Sequence, residues 1–199
     1  MKLLHSATSP YARKVYACAL ALGFEDRVEL VPTNPHSSPD ELLTLNPLCK
    51  IPCLITDDGE TLFDSPVIAE YLDSLGGAVK LFPASGPDRF KALKFQALAD
   101  GIMDAAVGRR MEMGRPNEPA REEVKARHKD AIARSLDVLE ESNLSQELTV
   151  GSIAIACALG YLTLRFSDEP WREGHPKLTK WFSKFGLVPC IANTKPSAA

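Results

Sequence analysis

Apolar and polar positions follow two different rhythms along this chain, and the change of rhythm divides it. In the first part, KLLHS (residues 2–6) is a short apolar run of strand type. Residues 10–22 then place Val15, Cys18, Ala19 and Leu22 at helical spacing, and Gly23 closes that pattern as a helix C-cap. RVELVPT (27–33) alternates as a half-buried strand does, and SPDELLTLNP (38–47) reads as a capped turn or short helix. CLITDDGETLFD (53–64) predicts a hairpin turning at Asp58-Gly59, and SPVIAEYLDSLGG (65–77) an amphipathic helix stopped by its glycines. The predicted order is βαβαββα over residues 1–78.

KLFPASGPDRFK is rich in breakers, and residues 79–87 are read as a linker. From residue 88 to 199 the strand rhythm is gone. Residues 88–113 carry helical spacing through Phe90, Leu93, Leu98, Ile102 and Met103, and residues 122–143 carry it again. TVGSIAIACALGYLTLRF (149–166) is apolar nearly all round, as in the central helix of a bundle. HPKLTKWFSKFG predicts a further helix, and the KPSAA end is expected to fray. An α/β domain followed by an all-α helical bundle accounts for both rhythms.

Composition narrows the function. The 199 residues carry a net charge of −3, which gives no overall electrostatic reason to bind nucleic acid. No apolar run is long enough to span a bilayer and the start lacks a secretory signal, so a cytoplasmic protein away from membranes is expected. The five cysteines are scattered, and Cys49 and Cys53 have neither redox nor zinc spacing. The four histidines are far apart, so no metal is expected.

Chemistry concentrates in three short stretches. In TSPYAR, Ser9 precedes Pro10 at a helix start; read alone, Ser9 is a cap. A helix N-terminus also stabilises negative charge, and a serine hydroxyl there can donate to a thiolate. In FDSPVIAEYL, Ser65-Pro66 repeats that opening, capping being again the plain reading. Ser65 with free N–H groups could hold a carboxylate while Asp64 pairs with an ammonium. In NPLCKIPCL, Pro52 is compatible with a cis bond that frees the Ile51 backbone for an extended peptide, with Lys50 beside it for a carboxylate. Together the stretches describe a ligand with a thiol, a peptide backbone and charged ends.

SPYARKV, NPLCKIPCL, DSPVIAEYL and the apolar helix at 149–166 resemble the glutathione S-transferase family in its bacterial cytosolic form, over essentially the whole chain. The resemblance implies a thioredoxin-like first domain and a helical second one. It implies that Ser9 activates the glutathione sulfur, that Ile51 and Pro52 hold the cysteinyl part, and that Lys50 lies near the glycyl carboxylate. Asp64 and Ser65 would hold the γ-glutamyl head. A second-substrate pocket would draw on Tyr11, Met103, Val107, Arg110, Met111 and Tyr161. Asp100 and Asp104 share a helical face, either solvated or reaching a partner subunit of a homodimer.

The sequence departs from the family pattern in three places. Ser9 replaces the cysteine of the thiol-transferring members, Cys49 stands where glycine is usual, and the apolar helix opens TVGS without the usual capping carboxylate. Thr149 can still cap, but a cost in stability or folding rate is expected from Ser152. The implied activity is a glutathione-dependent transferase acting on small electrophiles. A non-catalytic binding or regulatory protein on the same scaffold, or a glutathione-dependent peroxidase, isomerase or reductive dehalogenase, are the alternatives.

Overall fold

The computed structural model describes residues 1–196; the predicted fraying of the last residues falls partly outside them. Four strands form one mixed sheet in the order β2-β1-β3-β4: β1 (Lys2–His5), β2 (Glu29–Pro32), β3 (Cys53–Ile55) and β4 (Thr61–Leu62). β1 runs parallel to β2 and antiparallel to β3, with Leu3 opposite Leu30 and Leu54. Because strand side chains alternate, Leu3 and Leu4 enter different cores. Leu3 packs with Val15, Cys18, Leu22 and Ile68 under α1 (Pro10–Leu22) and α3 (Ser65–Ser74). Leu4 packs on the other face with Cys53 and Leu42 of the short α2 (Asp40–Leu45).

The helical half comprises α4 (Gly86–Met113), α5 (Pro119–Glu141), α6 (Val150–Arg165), α7 (Pro176–Phe185) and the short α8 (Pro189–Ala192), which the hydrophobic pattern did not indicate. α6 is buried on nearly every side, as its composition predicts. Its Gly151 permits the close approach of α4: a Cβ there would lie 2.6 Å from the Ala92 carbonyl oxygen. α4 differs from expectation in its apolar face. The buried stripe is Ala92, Phe95, Ala99, Ile102, Met103 and Ala106, at helical spacing. Phe90 falls outside that stripe and is 70% exposed.

Two polar corrections concern helix starts. Ser65 is not a cap: α3 begins at Ser65 itself, with Asp64 in the N-cap position and no side-chain capping bond. The start of α6 is fully capped despite lacking a carboxylate. Thr149 Oγ1 accepts from the Ser152 N–H at 3.2 Å, and Ser152 Oγ accepts from the Thr149 N–H at 2.8 Å. The short hydroxyl completes the reciprocal box and also donates to the Glu147 carbonyl at 2.8 Å. The expected cost in stability therefore has no structural basis.

The two halves share one continuous apolar core, in which residues of α1 and α3 pack with those of α4 and α6. The connection between α3 and α4 is held at both ends of its path. Buried Asp73 accepts from the Leu81 N–H at 2.7 Å and from Lys80 Nζ at 3.1 Å, and the Leu81 carbonyl accepts from the Val150 N–H at 3.0 Å. These bonds tie the connection to α3 on one side and to the start of α6 on the other.

Candidate active site

An open cleft of about 1130 Å³ lies between the halves, with Ser9, Lys50, Ile51, Pro52, Asp64 and Ser65 on its first-domain wall. Each is positioned by main-chain geometry. Ser9 is extended (φ −74°, ψ 119°) and its Oγ accepts from the Ala12 N–H at 3.2 Å, so it is the N-cap the sequence predicts. A hydroxyl that accepts one bond still has a proton to donate. The first turn of α1 contains no acidic side chain, so the positive end of the helix dipole faces the cleft without an internal counter-charge.

The stretch 46–52 is shaped by Asn46, which is almost completely buried. Its Oδ1 accepts from the Leu48 N–H at 3.0 Å and its Nδ2 donates to the Lys50 carbonyl at 2.8 Å. Within this clamp Cys49 has φ of 50°, a left-handed conformation that a glycine adopts without a Cβ penalty. The Ile51–Pro52 bond is cis. Cys49 faces the cleft, whereas Cys53 is sealed in the sheet core. At the third stretch the Phe63–Asp64 peptide is also cis; Asp64 is exposed, while Ser65 is buried beside it.

The opposite wall comes from α4 and α6, with Tyr11 reaching across from α1. Tyr11, Val107, Arg110, Met111 and Tyr161 line the cleft. Met103 does not: it is fully buried in the stripe that packs α4 into the core, so it is removed from the second-substrate set. Asp100 and Asp104 are both in the cleft and both engaged within the chain. Asp100 accepts from Lys14 Nζ at 2.6 and 2.8 Å, and Lys14 is fully buried. Asp104 accepts from the Tyr11 hydroxyl at 2.5 Å.

Burial pushes the Asp100 carboxyl above its usual range; Lys14 opposes that shift, while Asp104 and Asp64 add to it. Burial likewise raises the Tyr11 phenol, and the Asp104 carboxylate raises it further. Tyr11 therefore stays protonated and donates to Asp104. Tyr161 is raised by burial against the opposing pull of Arg165 and Arg110. Arg165, which the sequence reading did not select, also lines the cleft. The available signal was its position one helical turn after Tyr161 on a helix that is otherwise apolar. Among the described residues no group of His, Cys, Asp and Glu could hold a metal ion, and no helix is long and apolar enough to cross a membrane.

A small mixed sheet with flanking helices, followed by a helical bundle that closes a cleft over the N-terminus of α1, defines a two-domain architecture with its cleft between the domains. The chain belongs to the glutathione S-transferase family: residues 8–75 match the family's N-terminal domain and residues 122–183 its C-terminal domain. It is 36% identical, over the full length of both chains, to a protein of Escherichia coli K12 described as the uncharacterized GST-like protein YibF. A glutathione transferase family member from Pseudomonas fluorescens Pf-5, solved with bound glutathione, superposes with a TM-score of 0.92 at 38% identity, covering 99% of each chain. A glutathione S-transferase from Methylobacillus flagellatus KT with glutathione bound gives 0.88 at 33% identity, covering 98% of this chain and 99% of that one.

Proposed function

We propose that the protein is a glutathione-dependent transferase in which Ser9 activates the thiol and the cleft admits a small electrophile. The observation that carries this reading is the convergence on one wall of a free serine proton, a helix N-terminus with no acidic residue in its first turn, a cis-proline turn and an exposed carboxylate. The glutathione sulfur sits before α1, where the Ser9 hydroxyl donates to it and the helix dipole favours its ionised form. The Ile51 backbone pairs with the cysteinyl unit across Pro52. Asp64 receives the γ-glutamyl ammonium, while Ser65 and the free N–H groups opening α3 receive its carboxylate. Lys50 lies toward the glycyl carboxylate.

In the chemical step the sulfur lone pair forms a bond to an electrophilic carbon as the leaving group departs with its bonding pair. Serine is a hydrogen-bond donor throughout and forms no covalent intermediate. Tyr11, Val107, Arg110, Met111 and Tyr161 border the electrophile. The bound glutathione in the Pseudomonas and Methylobacillus relatives supports the ligand assignment.

Calorimetric titration tests the reading. Wild type is expected to bind glutathione, and Asp64→Asn to bind about tenfold or more weakly, as loss of a charge-assisted bond requires. Wild-type protein that does not bind glutathione overturns the assignment.

A further inference from the structure

The helical wall of the cleft carries two guanidinium groups: Arg110, which the transferase reading uses only as a border of the electrophile, and Arg165, which it does not use. Arg110 lies in the last turn of α4 and Arg165 in the last turn of α6, and both line the cleft. Tyr161 and Arg165 stand one helical turn apart on α6 and line the same cleft as Arg110, and the charges of both arginines oppose the rise of the Tyr161 phenol. Among the described residues neither forms an ion pair within 4.0 Å, whereas the neighbouring Arg109 on α4 pairs with Glu169.

The acids nearby are committed elsewhere: Asp100 to buried Lys14, and Asp104 to the Tyr11 hydroxyl. A basic residue in a final helical turn also stabilises the helix dipole. That role leaves the head group in water. The Nε of Arg165 is instead buried with no hydrogen-bond partner. A half-buried guanidinium on the cleft wall, with no ion pair and with its Nε unpartnered, matches a planar oxyanion that its outer N–H groups can reach.

We propose that Arg110 and Arg165 form a carboxylate clamp, so that the preferred electrophiles are small molecules bearing a carboxylate beyond the carbon that glutathione attacks. Tyr161, one helical turn before Arg165 and lining the same cleft, supplies a third donor. The clamp rests on the glutathione reading, since it presupposes the thiol at Ser9. It orients the electrophile: with the carboxylate fixed at the far wall, the reactive carbon is left facing the sulfur. The substitution then balances simply, as the sulfur pair forms the new S–C bond and the leaving group departs with the old one.

The test uses S-carboxymethylglutathione and S-(4-carboxybenzyl)glutathione, which reach different depths, each against its neutral carboxamide. Calorimetric Kd values are measured for wild type, Arg110→Gln, Arg165→Gln and the double variant, with circular dichroism to confirm folding. At least one acid is expected to bind wild type about tenfold or more tightly than its amide, and the acid-to-amide ratio to fall toward one in the double variant. Arg165→Lys should restore part of the ratio, because it keeps the charge and loses the fork. If glutathione binds but neither acid is preferred over its amide, the clamp is overturned and the transferase reading stands. The clamp is equally overturned if the double variant weakens unmodified glutathione as much as the acids, since the arginines then serve glutathione itself. If glutathione fails to bind wild type, both readings fall.

Discussion

The two walls of the cleft are built by opposite means. The first-domain wall is main chain held in set conformations: an extended N-cap at Ser9, a left-handed Cys49 clamped by Asn46, and two cis peptides. The helical wall is a row of side chains, Tyr11, Arg110, Tyr161 and Arg165, standing on regular helices. Backbone presents the same donors and acceptors to every ligand of one kind, whereas side chains on a regular scaffold can be exchanged freely. On the proposed function, one wall serves a constant co-substrate and the other a particular electrophile.

The largest expected effect is at the junction of the walls. Lys14→Met leaves Asp100 without its counter-ion and should cost about 3 kcal/mol, read by urea unfolding at neutral pH. The pH dependence follows from the direction of the Asp100 shift. Burial raises its folded-state pKa above the unfolded value, and removing Lys14 removes the opposing influence. A raised carboxyl favours folding while protonated, so that stability is full at low pH and is lost as pH rises through the folded-state pKa. The penalty of Lys14→Met should therefore shrink in mildly acidic solution.

The scaffold under the helical wall comes next. Gly151→Ala puts a Cβ 2.6 Å from the Ala92 carbonyl oxygen and 2.9 Å from the Phe95 Cβ, so α4 or α6 must shift. A loss of about 1–3 kcal/mol is expected in thermal unfolding. Ser9→Ala, on the opposite wall, removes a cap and should cost only about 1 kcal/mol of stability. The smallest effect is expected where backbone conformation is preserved. Cys49→Gly removes the Cβ from a left-handed residue and should leave stability within about 1 kcal/mol of wild type.

The same difference explains what could be read from the sequence. The first wall was legible because special backbone geometry leaves punctuation: Ser9-Pro10, Asn46-Pro47, Ile51-Pro52 and Ser65-Pro66 all stand in short stretches. The helix limits at Pro10 and Gly23 follow from the same residues. Ser65 shows the limit of such reasoning, because Ser-Pro fixes the neighbourhood of a helix start but not which residue caps it. The second wall left no punctuation. Met103 and Val107 are one helical turn apart, yet one is core and the other lines the cleft, a choice made by how α4 rotates against α6. The pairing of Asp100 with Lys14 was hidden because the two lie 86 residues apart, whereas Arg165 left only the weak signal of its place one turn after Tyr161.

The central claim, that Ser9 is a cap whose hydroxyl also stabilises a thiolate, is tested most directly by titrating bound glutathione. Thiolate ultraviolet absorbance is followed against pH for wild type and Ser9→Ala at saturating glutathione. The account predicts a bound-thiol pKa well below that of free glutathione, moving back toward the free value in Ser9→Ala while that variant stays folded. A bound thiol that titrates as in water, or a lowered pKa that survives the loss of the Ser9 hydroxyl, would contradict it.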